Sequence, residues 1–247
     1  SIGPGTATDS AGNEAAAAGP SGTFAVDNTG PTVTTITPLR RGPTNAGNVR
    51  FDVTFSEDVV NFNDSADVTI NHTDTSHGSV SISGSGASYT VNVMGITGDG
   101  SFTLGVNTGS DVEDALSNIL SSSVDSEPVT IDNTAPAISI GIASLDTTMR
   151  GPVSYTVTFE EAESISLAAD DLSLNKTGTA DGSVAVSGTG PSTRTVTISN
   201  ITGDGSLGFS IGPGTATDSA GNEADTAGPS GTFSVVFVEK IMKDSFE

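Results

Sequence analysis

The chain has 247 residues, with 30 acidic against 8 basic side chains, a formal net charge of -22, and neither cysteine nor tryptophan. A surface this acidic repels phosphate backbones, so nucleic-acid partners are excluded. No apolar run reaches the ~18 residues that read as a membrane span, and neither a disulfide framework nor a cysteine-ligated zinc site can form.

The first residues, Ser1-Ile-Gly-Pro-Gly, do not read as a signal peptide. Instead, residues 1–24 (SIGPGTATDSAGNEAAAAGPSGTF) return as residues 210–233, differing only at Ala16/Asp225 and Ala17/Thr226. The separation equals two units of about 104 residues, and the diverged middle unit is also legible. Val26-Asp27-Asn28-Thr29-Gly30-Pro31 returns as Ile131-Asp132-Asn133-Thr134-Ala135-Pro136, and Val49–Phe55 returns as Val153–Phe159. Gly95–Ser101 likewise returns as Asn200–Ser206. The reading is four segments. Residues 1–27 are the closing strands of a truncated preceding repeat, 28–131 and 132–236 are complete repeats, and 237–247 is a C-terminal tail. A chain that starts in mid-repeat is expected to be part of a longer array.

Within each unit the periodicity is that of strands. Val49, Phe51, Val53 and Phe55 alternate with polar neighbours, as do Val153, Tyr155, Val157 and Phe159. Clusters of Gly, Asn, Asp, Ser and Pro separate the runs at sandwich spacing. The first unit is predicted to hold seven strands, at 32–37, 49–55, 67–71, 78–83, 88–94, 101–106 and 128–131. Only Asp111–Leu120 and Glu161–Leu172 could hold a helical turn. The expected fold class is all-β, with tandem immunoglobulin-like sandwiches end to end.

Several pieces carry a resemblance: the linkers VDNTGPTV (26–33) and IDNTAPAI (131–138), the strand-turns VTFSEDV (53–59) and VTFEEAE (157–163), GDGSFTLGV (98–106), and TDSAGN at 8–13 and 217–222. In this order and spacing they resemble the bacterial immunoglobulin-like repeats of giant surface adhesins and other secreted repeat proteins. The resemblance implies non-catalytic spacer or binding modules, extracellular or on the bacterial cell surface, often stiffened by calcium. Their partners would be neighbouring repeats of the same array, with self-assembly into fibres a further option. The middle unit departs from the motif, with Asp114-Ala115-Leu116-Ser117-Asn118 in place of the Asp-Ser-Ala-Gly-Asn form.

Strands running alternately up and down bring the loops after strands two, four and six to the pole where the chain enters. Glu57, Asp114 and Asn118 then lie beside Asp27 and Asn28, and Glu161, Asp218 and Asn222 beside Asp132 and Asn133. Asp99 lies at the opposite pole of its unit and faces the next one. Calcium takes six to eight hard oxygen ligands in flexible geometry, which such a junction can offer. The alternative is that these are turn residues, since Asp and Asn bond their own backbone there.

Other chemistry is thinner. Glu160-Glu161 and Asp170-Asp171 resemble paired carboxylates, but their counterparts Ser56-Glu57 and Ala66-Asp67 keep one acid each. His72 and His77 are a conceivable zinc pair or surface polar residues. Arg41 and Arg150 recur before Gly-Pro and are expected either to pair with acids across the joint or to stand solvated. The rival functions are a sugar-, ice- or host-protein-binding module, the accessory region of a secreted hydrolase, and a fibre subunit assembling by strand donation from residues 1–27.

Overall fold

The computed structural model describes residues 1–236. The described chain is all-β, with two single-turn 3-10 segments at Ser65–Asp67 and Ala169–Asp171 as its helical elements. Among the described residues no helix is long and apolar enough to cross a membrane. Several antiparallel sheets stack in an immunoglobulin-like sandwich arrangement.

Six strands lie between residues 33 and 131: β1 (Val33–Pro38), β2 (Asn48–Val59), β3 (Val68–Ser76), β4 (Ser79–Met94), β5 (Thr97–Val106) and β6 (Val129–Ile131). One sheet has the order β1-β2-β4 and the other β3-β5-β6. The alternation of β2 turns Val49, Phe51, Val53 and Phe55 inward. They meet Phe102, Leu104, Val129 and Ile131 from the second sheet in one apolar core. The rings of Phe51 and Phe102 meet edge-on at 5.9 Å across the two sheets. Each such fully buried side chain contributes about 1.5–3 kcal/mol.

The following residues form β7 (Ala137–Ile140), β8 (Thr147–Thr148), β9 (Val153–Glu160), β10 (Ser164–Ile165), β11 (Leu172–Lys176), β12 (Asp181–Ser187), β13 (Thr193–Thr202), β14 (Gly205–Ile211), β15 (Ala216–Thr217) and β16 (Phe233–Val235). The sheets β12-β13-β9-β7 and β11-β14-β16-β8 enclose a second core that includes Tyr155, Phe209, Phe233 and Val235. Positions 104 apart make corresponding pairs. The parallel pair Thr148 with Val235 matches the bridge Thr44 with Ile131, and Ser164 with Thr217 matches Val60 with Glu113.

The elements differ from expectation in several places: β2, predicted at 49–55, runs on to Val59, and β5, predicted at 101–106, starts at Thr97. The segments 78–83 and 88–94 are one element, β4, because the chain folds back within a few residues. Gly84 (φ 136°) stands against Ser88 and Tyr89 closely enough that a Cβ there would lie 2.5 Å from the Ser88 carbonyl oxygen. The strand predicted at 67–71 starts at Val68 and runs on to Ser76, after the 3-10 turn closed by Asp64. Residues Asp111–Leu120 hold no helical turn. Their backbone is spent on bridges of Glu113 to Val60 and Ile119, and on an aspartate-capped loop.

Residues 1–29 are exposed throughout; their β-bridges are local, Ile2 with Ala18 and Thr8 with Glu14, and Asp27 accepts a hydrogen bond from Asn118. The expectations for Phe237–Glu247 lie outside the described residues.

Candidate metal centre at the linker

Three copies of one loop frame the site. In each, an aspartate accepts backbone N–H groups on one oxygen and the amide of an asparagine four residues later on the other. Asp9 Oδ1 accepts from Ala11 and Asn13, Asp114 Oδ1 from Leu116 and Asn118, and Asp218 Oδ1 from Ala220, Gly221 and Asn222. The partner amides are Asn13, Asn118 and Asn222, at 2.8–2.9 Å. The loop needs a left-handed residue just before the asparagine, supplied by Gly12 (φ 86°) and Gly221 (φ 95°), and by Ser117 (φ 64°) where glycine is missing. The geometry therefore survives the loss of the glycine.

Donors aimed at a carboxylate favour its charged form. The Asn118 amide, ahead of the Asn118 backbone, holds Asp114 below the usual carboxylate range. Burial pushes Asp218 up, but the bonds from Asn222, Gly221 and Ala220 outweigh it and the net direction is down.

Around the first linker, Asp27, Glu57 and Asp114 each place an oxygen within 4.8 Å of the others. Asp27 is exposed, Glu57 half-buried and Asp114 buried. The three converge from separate parts of the chain. Glu57 stands near the end of β2, Asp114 caps the loop between β5 and β6, and Asp27 opens the linker, where its Oδ1 accepts from Thr29 N. Asn118 fastens the arrangement by donating from Nδ2 to the Asp27 carbonyl as well as to Asp114. Asn28 follows in the exposed linker. The three carboxylates form an all-oxygen donor set that could coordinate a metal ion.

The second linker is arranged differently. Asn222 Nδ2 donates to the Asp132 carbonyl at 2.8 Å, repeating the Asn118 bond, and Asp132 Oδ1 accepts from Thr134 N. Asp99 reaches this linker from the preceding sheets. It accepts from the Asn133 backbone N–H and, at 2.7 Å, from the Thr134 hydroxyl, while Asn133 Nδ2 donates to the Gly98 carbonyl. These bonds, the Asn133 backbone first, hold Asp99 below the usual carboxylate range. Asn45 N donates to the Ala220 carbonyl, and Asp132 N to the Thr44 carbonyl. Glu161 is exposed at a left-handed bend (φ 62°), and among the described residues it does not join Asp132 and Asp218 in a metal-sized group. Thr134 and Asn45 were not legible as junction residues. The repeated Asn-Thr after Asp27 and Asp132 was the available signal for Thr134.

The remaining candidates resolve simply. Asp171 Oδ2 accepts from Ala168 N and closes the 3-10 turn, a turn role rather than an acid–base one. His72 Nε2 and His77 Nδ1 share a hydrogen bond of 2.7 Å with the rings stacked, and His72 Nδ1 meets the Thr75 hydroxyl. The ion pair among the described residues is Lys176 with Asp181, within one unit, and among these residues Arg41 and Arg150 make no pair across the joint.

No protein-family model and no curated protein matches this chain. Among solved structures, the Escherichia coli adhesin FdeC matches at 18% identity over 82% of this chain and 63% of that chain, with a TM-score of 0.34. The Yersinia pseudotuberculosis adhesin InvE matches at 13% over 81% and 58%, with a TM-score of 0.27. The titin domains z1z2 in complex with telethonin match at 13% over 86% and 98%, also at 0.27. The chain thus spans less than two thirds of the length of either adhesin structure.

Proposed function

We propose that the chain is a non-catalytic structural module of an extracellular bacterial surface protein, an adhesin stalk or fibre. In this reading residues 28–131 and 132–236 are tandem immunoglobulin-like repeats, and residues 1–27 are the closing strands of another. The observation that carries it is the second linker. Asp99 and Gly98 grip Asn133 and Thr134 from one side, and Asn222 grips Asp132 from the other. A joint bonded on both sides holds two sandwiches at a fixed angle, which is what a spacer under load requires. Short loops of this kind leave little chain free to flex.

Calcium is the proposed stiffening cation, held at the first linker by Asp27, Glu57 and Asp114, with Asn28 and Asn118 beside them. Asp99, Asp132, Asn133, Glu161, Asp218 and Asn222 offer the same residue types at the second. A ligand that binds only the folded form at 100 times its dissociation constant adds about 2.7 kcal/mol. For a unit of this size that raises Tm by roughly 10 °C or more. Calorimetry and small-angle scattering of the chain in calcium and in chelator test this. Calcium should raise Tm and lengthen the particle, and Asp27→Ala with Glu57→Ala should remove most of the gain. An unchanged Tm and an unchanged maximum dimension would rule out the calcium reading.

A further inference from the structure

Basic side chains are scarce on this chain, and two of the eight, Arg40 and Arg50, line one recess. The fold puts them there. β2 turns Val49 and Phe51 into the core, so Arg50 stands on the outer face of the sheet β1-β2-β4. Where β1 ends at Pro38, opposite Phe51, a bond from Leu39 N to the Arg50 carbonyl at 2.9 Å keeps the chain beside β2 and carries Arg40 alongside. On the other side, Asn92 of β4 is in register with Arg50. Leu39, Asn48 and Asn92 complete the lining of the recess, whose volume is about 450 Å³.

Neither arginine forms an ion pair with a described residue. The next outward residue of β2, Asp52, lies opposite Thr90 and accepts from its hydroxyl at 3.4 Å. Asn48 Oδ1 accepts from Gly95 N, whereas Asn92 Oδ1 is buried without a donor. Buried polar atoms are nearly always paired, so this one marks a bond still to be made. Two guanidinium groups that share a recess repel each other and gain from an anion beside them. The sandwich itself is built without them. In the second unit the corresponding register pair is Ser154 opposite Thr197, and it carries no charge.

We propose that this recess binds an acidic sugar, a pyranose that carries a carboxylate. A carboxylate takes two parallel N–H bonds from one guanidinium, a fork that lysine does not offer. Ring hydroxyls both donate and accept, as the carboxamides of Asn48 and Asn92 require, and the exposed Leu39 offers an apolar contact to the C–H groups of the ring. The volume falls in the range of small-molecule sites, roughly 300–1,000 Å³. An acidic peptide fits less well. β2 is paired on both sides, by β1 and β4, so its backbone has no open rail for an extended chain. The net charge of -22 repels a long polyanion, so the ligand is a single acidic residue, free or within a largely neutral glycan. None of the residues involved belongs to the proposed calcium site.

The test is an NMR titration of the full chain at low salt, stripped of metal and then dialysed free of chelator. The probe is glucuronic acid, compared with glucose, acetate and a tetraglutamate peptide. Glucuronic acid should bind saturably with a dissociation constant on the order of 1 mM and shift the side-chain amide signals of Asn48 and Asn92. Glucose and acetate should bind at least about tenfold more weakly, because each lacks one half of the contacts. Arg50→Ser, which installs the residue found at this place in the second unit, should weaken glucuronic acid by about tenfold or more. Arg40→Ser should do the same, and it carries the test if Arg50→Ser does not fold; Arg150→Ser should leave binding unchanged. Acetate as tight as glucuronic acid would reduce the recess to an anion site and overturn the sugar assignment. Tighter binding of the peptide, unchanged affinity in both Arg40→Ser and Arg50→Ser, or the absence of any shift at Asn92 would overturn it equally.

Discussion

Asn222 offers the sharpest test of how the joint between the sandwiches is held. Its half-buried side chain donates twice from one nitrogen, at 2.8 Å to the Asp132 carbonyl in the linker and at 2.9 Å to the Asp218 carboxylate. Asn222→Ala removes both bonds and leaves the linker carbonyl and a buried carboxylate oxygen short of a donor. A neutral bond is worth about 1 kcal/mol net and one to a charged acceptor about 1.5–3. Partial access of water to the site returns some of that, so the expected loss is roughly 2–3 kcal/mol. For a unit of about 100 residues this lowers Tm by roughly 10 °C or more. Differential scanning calorimetry of the whole chain should show the shift in one transition, with the other unmoved. The sequence supplies its own controls. Asn118→Ala cuts a longer linker bond, 3.2 Å, and should cost less. Asn13→Ala cuts only the exposed bond to Asp9 and should leave both transitions where they were. If Asn13→Ala shifted Tm as much as Asn222→Ala, the loop alone would matter and the linker bond would not. A negligible shift from Asn222→Ala would refute the account of the joint outright.

Three further outcomes follow from the same geometry. Ser117→Gly should stabilise the first sandwich by about 0.5–1 kcal/mol, because relief of a left-handed non-glycine residue exceeds the entropy that glycine loses on folding; urea denaturation showing a loss would contradict the strain assigned to φ 64°. Tyr155→Phe removes the hydroxyl that donates to the Gly231 carbonyl at 2.8 Å but keeps the ring against Phe209, so the cost at neutral pH should be about 1 kcal/mol. Burial pushes the Tyr155 hydroxyl up, so its contribution is full below the ordinary tyrosine value near pH 10 and lost as pH rises beyond it; the Phe variant should show a shallower alkaline limb in a Tm-versus-pH series. On the acid side, burial, then the neighbouring His77, pushes His72 down, so the unfolded chain binds the proton first and stability falls below about pH 6.5. Asp99, Asp114 and Asp218 are held down by their donors and add a second loss as pH falls below about 4, and His72→Gln should erase the first step and spare the second.

The strands were legible because their pattern has period two and their cores are aliphatic. Val49, Phe51, Val53 and Phe55 announce a half-buried strand whatever surrounds them, and all four are buried. Boundaries were less legible where a few residues do two jobs. The tight reversal near Gly84 turned two expected strands into one element, and the aspartate-capped turn at Ser65–Asp67 delayed the start of β3. Residues 1–27 show the limit of local reading most plainly. Their sequence specifies the same bridges and the same capped loop as residues 210–236, although Phe24 is exposed and Phe233 is buried.

The acidic residues show that limit in their chemistry. The topology argument brought Asp27, Glu57 and Asp114 to one pole, and their oxygens do lie together. It gave the same weight to Asp132, Glu161 and Asp218, where the geometry differs although the residue types are the same. The difference begins one residue from the aligned glutamates. β2 continues through Glu57 to Val59, so Glu57 is held in an extended strand, whereas β9 ends at Glu160 and Glu161 takes the left-handed bend. Sequence shows which residues can be ligands, but the direction of a side chain at a strand end follows from one backbone dihedral. At the second linker Asp99 binds the linker's own N–H and hydroxyl. On the proposed calcium reading, removal of calcium should loosen the linker at Asp27 while the Asp99 bonds to Asn133 and Thr134 persist.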